Sequence, residues 1–352
     1  MTQRTNAKNE TILHKAVVQW KTNPIFSTAC VLVLMIILQT LALGFDFESV
    51  GAWFSHWSRN WINILRNNAS VGIVALGMTF VIISGGIDLA VGSTLVAVGA
   101  VLMVCVNSYP TGLLTSIGIT GVPAFIIGII ACILMGCALG GVSGFLIAKQ
   151  KLPAFIATLG MMKICRSVTQ QVMQTASVKV PTQFLAIANT KIGGQVILPI
   201  IYWLVLAVLL HIISRKTTFG RHVYAIGSNE RTARLSGINV ERNLSLLFIL
   251  NGLMCGLATM IYCSQLGSAM PSNASGMEFD VISAVILGGA SLSGGKGSIV
   301  GALFGALLLG TLNNGMVMLN IHTYWQQVIS GIVLVVAVVF DVVKKRREQR
   351  SV

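Results

Sequence analysis

SRKTTFGRHVYAIGSNERTARLSGINVERN, residues 214–243, is a charged stretch that lies between two long apolar runs. It carries six arginines and lysines against Glu230 and Glu241, a surplus of 6 − 2 = +4 in a chain where charge is scarce. Loops rich in lysine and arginine stay on the cytosolic side of a membrane. The stretch therefore predicts a cytosolic loop in a membrane protein.

The middle of this loop is predicted to form a short helix. Ser228 or Asn229 can cap it by accepting a backbone N–H, Glu230 suits the positive end of the helix dipole, and Gly237 can end it in a left-handed conformation. Residues 229–236 make about two turns. Because so short a helix is marginal alone in water, we expect it to pack on another protein.

The composition places the whole chain in the membrane. Of its 352 residues 55% are hydrophobic and 10% charged, whereas a soluble domain is about 25% charged. Many apolar runs approach or exceed the ~18–20 residues that cross a bilayer. The sequence thus predicts an all-α, polytopic integral membrane protein.

Charge and cysteine patterns exclude several other classes. The net charge is +14, but the basic residues gather in the termini and one loop, which is typical of cytosolic anchoring and not of nucleic-acid binding. The seven cysteines form no CxxC pair, so no metal site, cofactor site or disulfide framework is predicted.

Hydropathy and charge predict about ten transmembrane helices with both termini cytosolic. The expected organisation is a cytosolic tail at 1–23, a transmembrane domain at 24–343 that includes the 214–243 loop, and a basic cytosolic tail at 344–352. The ten spans are predicted at 24–44, 69–85, 89–106, 123–148, from 153 onward, 196–213, 244–264, 281–292, 299–319 and 324–343. Segments 45–68, 174–195 and 265–280 are expected outside.

Several polar residues in or beside the spans each have two interpretations. Asp88 is interpreted as a cap for the third span at a cytosolic turn in preference to a role in translocation, since a carboxylate costs about 2.5–3.5 kcal/mol at the bilayer centre. Lys163 and Arg166, three apart on the fifth span, either snorkel or line a pathway. Asn313, Asn314 and Gln326 either bridge helices, the commoner use, or bind a polyol.

Two further features bear on partners and on ATP. Glu278 and Asp280 lie in an outer segment without bases and are hypothesised to contact a docking protein. SGGKGS, residues 293–298, differs from a nucleotide-binding loop, because Ala290 and Gly297 occupy positions that require glycine and Ser or Thr. Neither a catalytic motif nor a row of intramembrane carboxylates is present in the sequence. The chain is therefore predicted not to be an enzyme, and its energy must come from elsewhere.

Four stretches resemble the sugar-type permeases of ATP-binding-cassette importers. TTFGRHVYAIGSNERTARLSGINV (217–240) resembles their cytosolic loop, and LGMTFVIISGGIDLAVGS (76–93) resembles their second and third spans. GMEFDVISAVILGGASLSGGKGSIVGALFGALLLGTLNNG (276–315) resembles their glycine-rich C-terminal signature, and FIATLGMM (155–162) with the later Arg166 also matches. The likeness begins near Ile62, and the loop departs from the pattern at Ser228, Arg231 and Thr232.

The resemblance implies a bacterial inner-membrane permease that takes a monosaccharide from a periplasmic sugar-binding protein. It also implies a second permease subunit, expected to be an identical copy, and two cytosolic ATPase subunits. The loop would then couple the ATPase to the membrane domain. The coupling residues it implies are Gly220, Arg221, Gly227, Asn229, Glu230, Arg231, Ala233, Arg234 and Gly237. Small Ala233 would let the helix sit deep in a groove of the ATPase, which Arg231 and Arg234 would contact.

The residues alone leave two other functions open. A stand-alone sugar facilitator or channel would also have many spans and no nucleotide motif, and a membrane-embedded enzyme is disfavoured by the missing catalytic motifs. A structured, capped helix in the cytosolic loop favours the importer, because a facilitator has no use for it.

Overall fold

The computed structural model describes residues 24–44, 49–106, 112–174, 178–180 and 182–350. The tail predicted at 1–23 lies outside them, as do the last two residues of the tail predicted at 344–352. The helices are α1 Pro24–Leu43, α2 Val50–Ile83, α3 Val91–Val106, α4 Leu113–Ser116, α5 Gly121–Ala148, α6 Ala154–Met173, α7 Thr182–Asn189, α8 Leu198–Lys216, α9 Thr218–Ser228, α10 Glu230–Leu235, α11 Val240–Leu266, α12 Met277–Leu287, α13 Ile299–Met318 and α14 Thr323–Arg350. Two short strands, β1 Val178–Lys179 and β2 Ser268–Ala269, pair antiparallel.

A helix lies at each of the ten predicted spans, but not all ten helices are long and apolar enough to cross a membrane. Within the described residues seven are: α1, α2, α5, α8, α11, α13 and α14. The helices α3 and α12 have only 16 and 11 residues, and α6 carries Lys163 and Arg166 in its middle. The last helix, α14, continues through the basic run at 344–347 to Arg350.

The predicted break between an outer amphipathic segment and the second span is wrong. One helix, α2, covers 34 residues, and Ser49 caps it by accepting from the amide of Ala52 at 3.2 Å. Trp53, Trp57 and Trp61 follow one another at every fourth position, so their rings contact along one face. The helix is not interrupted between the two parts. At 1.5 Å per residue it is about 50 Å long, which exceeds a ~30 Å bilayer core.

Close backbone approach holds the long helices together. Gly140 of α5 lies against the carbonyl of Phe248 on α11, and Gly305 of α13 against the carbonyl of Ala284 on α12, so that a Cβ at either glycine would overlap the neighbouring backbone. Small residues permit this contact in membranes, where lipid supplies no hydrophobic force between helices. The sequence spacing of Gly136, Gly140 and Gly144, and of Gly301 and Gly305, at every fourth residue predicts packing stripes, and the structure shows these glycines against neighbouring backbone.

Contacts at the two ends of α11 group the connecting segments as the charge pattern predicted. Lys151, in the short basic turn, forms an ion pair of 2.9 Å with Glu241 at the start of α11. At the opposite end β2 follows α11 and pairs with β1, in register from Val178 to Ala269. The basic turn at Lys151 therefore lies at the same end of α11 as the 214–243 loop, and two of the predicted outer segments meet at the other end.

Candidate functional site

The 214–243 loop contains two helices, α9 and α10, where the sequence analysis predicted only the second. The sequence analysis did not predict α9 because Gly220 and Gly227 argue against a helix, since glycine costs about 1 kcal/mol in a helix interior. Thr217 offsets part of this cost by capping α9, its Oγ1 accepting from the amide of Gly220 at 3.2 Å. The signal that could have revealed α9 is this Thr cap followed by apolar Val223 and Ile226, both buried.

The predicted short helix is present as α10, with its caps. Asn229, not Ser228, provides the N-cap, and its Oδ1 accepts from the amide of Thr232 at 2.9 Å. Gly237 has a φ of +81°, and its amide donates to the carbonyl of Arg234 at 3.1 Å. Glu230 in the first turn forms an exposed ion pair with Arg234 at 3.1 Å. The caps fix both ends of a helix that is only six residues long.

The expectation that Ala233 faces a groove in a partner is wrong for the folded chain. Ala233 is 4% exposed and packs with Ile226 and Val240 in a small cluster beneath α10. The outer face of the helix presents Arg231 and, at its end, Leu235, which is 82% exposed. Sequence reasoning missed Leu235, an exposed leucine at the tip of a polar loop.

The helix α9 sits on two glycine turns from distant parts of the chain. Gly227 touches the carbonyl of Ile83 at the end of α2, and a Cβ on Gly227 would lie 2.7 Å from the amide nitrogen of Gly295. That amide donates to the same Ile83 carbonyl at 2.8 Å. Tyr224 adds a hydrogen bond of 2.9 Å from its hydroxyl to the carbonyl of Gly297. The loop is therefore joined rigidly to α2 and to the turn between α12 and α13.

The remaining expected coupling residues lie around this unit. Arg221 is exposed on α9, and Gly220 approaches the carbonyl of Ser214 at the end of α8. Arg234 also lies 3.7 Å from Glu241, which links α10 to the start of α11. These ion pairs are solvent-exposed, so each contributes little to stability.

Asp88 lies in the turn between α2 and α3, where it accepts a capping hydrogen bond and its side chain is buried against α11. Its Oδ1 accepts from the amide of Ala90 at 2.9 Å, just before α3 begins at Val91 instead of the predicted Leu89. Its Oδ2 accepts from Asn251 at 2.8 Å. Asn251 lies eleven residues into α11, about 16 Å along the axis. Asp88 is 6% exposed. The hydrogen bonds from Ala90 and Asn251 offset the cost of burying its carboxylate.

Arg166 and Lys163 have separate environments. Arg166 donates to the carbonyls of Pro271 and Asn273, both at 2.7 Å, and thereby holds the segment that precedes α12. Lys163, about 60° away around the same helix, is exposed. Their spacing of three suggested a joint role, which the structure does not support.

Glu278 and Asp280 lie in the first turn of α12, not in an open outer loop. Glu278 is 7% exposed, and its Oε2 would lie 2.7 Å from a Cβ on Gly92 of α3. Asp280 is partly buried. The structure therefore contradicts the hypothesis that Glu278 contacts a docking protein, because Glu278 is buried in a helix that begins inside the helix bundle.

Two of the three polar residues near the C-terminal end have hydrogen bonds to the chain. Asn314 on α13 donates to Asn60 on α2 at 3.3 Å, and Gln326 donates to the carbonyl of Ile321 at 2.7 Å. Asn313 is partly buried and has no hydrogen-bond partner for its side chain within the described residues. Bridging between helices thus accounts for Asn314.

Comparison with known proteins agrees with this architecture. The family model described as Branched-chain amino acid transport system / permease component matches residues 60–338. The Ribose import permease protein RbsC of Escherichia coli (strain K12) is 38% identical over 90% of this chain and 92% of its own length. RbsC of Bacillus subtilis (strain 168) is 40% identical over 80% and 84%, respectively.

A third relative, the Xylose transport system permease protein XylH of Escherichia coli (strain K12), is 33% identical over 90% of this chain and 93% of its own length. The matched region contains most of the membrane helices, both glycine turns and the whole 214–243 loop. The chain therefore belongs to this family of transport-system permease components and is a multi-pass membrane protein.

Proposed function

We propose that this chain is the transmembrane permease subunit of an ATP-binding-cassette importer that moves a monosaccharide, a pentose or a hexose, by alternating access. The observation that carries the proposal is the similarity of nearly the whole chain to permeases named for ribose import and xylose transport. The chain acts as a transport subunit and not as an enzyme. Separate cytosolic ATPase subunits supply the energy.

The α9–α10 unit is the element that couples ATP hydrolysis to the membrane helices. A coupling element has to be rigid, because a helix that melts under load transmits no displacement. The proposed rigidity is supported by the caps at Asn229 and Gly237 and by the close contact of Gly227 with the carbonyl of Ile83. The outer face, with Arg231 and Leu235, is the surface for the ATPase.

The remaining partners follow from the same proposal. The permease works as a homodimer in the lipid of a bacterial inner membrane, and a periplasmic sugar-binding protein delivers the sugar. All ten predicted spans are membrane segments, and both termini are in the cytosol. Two of the segments, α3 and α12, are too short to cross the bilayer alone as straight helices. The arginine-rich loop and the lysine turn at Lys151 lie at one end and support this orientation.

Reconstitution tests the proposal against the facilitator. The permease is expressed with a cassette ATPase and an exported sugar-binding protein, and ribose uptake into vesicles is measured with and without internal ATP. We expect uptake that needs ATP, the binding protein and the ATPase together. Uptake down a gradient by the permease alone would establish the facilitator instead.

A further inference from the structure

The turn between α12 and α13, residues 291–298, is attached to α14 by one carboxylate. The Oδ2 of Asp341 on α14 accepts from the hydroxyl of Ser291 at 3.0 Å and from the amide of Leu292 at 3.2 Å. The turn itself is closed by a hydrogen bond of 3.0 Å from the amide of Ser291 to the carbonyl of Lys296. Asp341 therefore fixes the 291–298 turn to the last membrane helix.

The same turn is attached to α8 and α9. The hydroxyl of Tyr224 on α9, which donates to the carbonyl of Gly297, lies 3.3 Å from the Oγ of Ser214 in the last turn of α8. The contact of Gly227 with Gly295 holds the other end of α9 to the turn. The ends of α8 and α14, which are far apart in sequence, are thus both tied to the structure on which α9 rests.

The helix α8 has an exposed apolar face that ends in two bases. Val208, Leu209 and Ile212 are each about half exposed. Arg215 and Lys216 are also exposed, and they follow Val208 by seven and eight residues, which places them on the same face of the helix. On a membrane-crossing helix, such a face contacts acyl chains along its apolar part and headgroups at its basic end.

The helix α14 repeats this arrangement. Val339, Phe340 and Val343 are exposed and apolar, and the helix continues without a break through four consecutive bases at 344–347. Arg346 and Arg347 come three and four residues after Val343, in the register of the apolar face. A cluster of four or more bases directly beyond a membrane helix is typical of binding to anionic lipid.

We infer that the cytosolic ends of α8 and α14 bind the headgroups of anionic phospholipids, and that the bound lipid fixes the 291–298 turn on which α9 rests. The cytosolic location and the effect on transport rest on the proposed function. A phospholipid fits better than a soluble anion, because it contacts the apolar face and the bases together. Charge that served only to keep this end in the cytosol would need no particular lipid. Asp341 is a positioning residue, since it contacts the turn.

Lipid retention by the permease alone tests the binding step. The protein is solubilised in micelles that contain equal amounts of phosphatidylglycerol and phosphatidylcholine, and the two retained lipids are quantified by mass spectrometry. We expect phosphatidylglycerol to be enriched at least about fivefold, because each base at the headgroup level attracts an anionic lipid. A variant with glutamine at Arg215, Lys216, Arg346 and Arg347 should lose the enrichment.

The control variant for retention also loses basic charge, but at the other end of the molecule. It combines Arg59→Gln and Lys191→Gln, both at exposed positions. Arg59 follows exposed, polar Ser55 and His56 on α2, and Lys191 lies in the turn before α8, so neither ends an apolar helix face. This variant should retain phosphatidylglycerol as the unmodified chain does.

Transport in vesicles tests the consequence of binding. ATP-driven sugar uptake is measured in phosphatidylcholine vesicles with and without phosphatidylglycerol, and we expect the anionic lipid to raise it at least about fivefold. Asp341→Ala should keep the lipid enrichment but lose this stimulation. Asp341→Asn keeps an oxygen that can accept from the turn and should restore it. A purely structural role of Asp341 would instead lower uptake by the same factor in both vesicles.

Equal retention of the two lipids, or unchanged enrichment in the glutamine variant, would overturn the binding of anionic lipid. Displacement of phosphatidylglycerol by excess glycerol phosphate would show a site for a soluble anion and would overturn it as well. Full stimulation in Asp341→Ala would refute the role of the turn. Retention needs no transport, so enrichment in a chain that carries sugar without ATP would uphold lipid binding and refute only the proposed importer.

Discussion

The carbonyl oxygen of Ile83 accepts a 2.8 Å hydrogen bond from the amide of Gly295, and Gly227 lies directly against the pair. This contact joins the end of α2, the turn between α12 and α13, and the helix that precedes α10. A displacement of α10, such as the proposed ATPase would impose, would therefore reach two membrane elements at once through these backbone contacts.

Gly227→Ala is expected to uncouple the loop. The added Cβ would overlap the Ile83 carbonyl, and a core overpacked in this way is destabilised by about 1–3 kcal/mol. We expect ATP-driven uptake to fall at least about tenfold at unchanged membrane abundance. The matched control is Gly331→Ala on α14, where an added Cβ would meet nothing within 4 Å. Equal uptake by both variants would show that the close contact between Gly227 and the Ile83 carbonyl is not required for transport.

Leu235→Ala is expected to weaken binding of the ATPase subunit without unfolding the loop. Leu235 is 82% exposed, so its loss costs the free chain little, whereas loss of a buried anchor in an interface costs about 2 kcal/mol or more. Affinity measured by co-purification or interferometry should fall about 10- to 100-fold. Leu319→Ala, the same change at the opposite end of the helices, should leave affinity unaltered. Wild-type affinity for Leu235→Ala would place the docking surface elsewhere.

The Asp88–Asn251 pair is expected to contribute to stability through complementary hydrogen bonds. Asp88→Leu leaves the Asn251 amide and the Ala90 amide without their acceptor, which should lower the free energy of unfolding by about 1–3 kcal/mol. Asp88→Asn should be better tolerated, because Oδ1 of Asn251 is buried without a partner and can accept from the new amide after a flip.

The melting temperature in detergent measures both changes. The exchange variant, Asp88→Asn with Asn251→Asp, should recover most of the stability. A larger loss in the exchange than in either single variant would argue against a pairwise role.

Arg166→Lys is expected to impair transport although charge is retained. The guanidinium reaches two carbonyls at 2.7 Å simultaneously, and a lysine ammonium lacks this planar, forked geometry. We expect loss of sugar uptake together with a lower melting temperature. Lys163→Ala, which removes an exposed charge from the same helix, should not lower the melting temperature. A fully active Arg166→Lys would mean that the segment before α12 is held by other contacts.

The membrane orientation is expected to place the loop and Leu319 on opposite sides. Ser236→Cys in the loop and Leu319→Cys after α13 are both exposed positions. In intact cells with the outer membrane permeabilised, an impermeant maleimide should label Leu319→Cys only, and lysis should expose Ser236→Cys. Labelling of Ser236→Cys before lysis would invert the orientation.

The features that sequence alone determined are those governed by local chemistry. Apolar run length and low charge predicted helices at all ten positions, and a basic surplus marked the 214–243 loop. The caps of α10 at Asn229 and Gly237 were also predicted, because a cap depends on residues within one turn. The glycine stripes of α5 and α13 followed from spacing in the same way.

The tertiary structure alone decided which residues meet and which way they face. Asn251 as a partner of Asp88, the carbonyls held by Arg166, and the burial of Ala233 and Glu278 all depend on contacts between segments far apart in sequence. Hydropathy records how apolar a segment is, but not its rotation about the helix axis. For this reason the pattern of α6 could not show that Arg166 reaches the carbonyls of Pro271 and Asn273 while Lys163, on the same side of the helix, stays exposed.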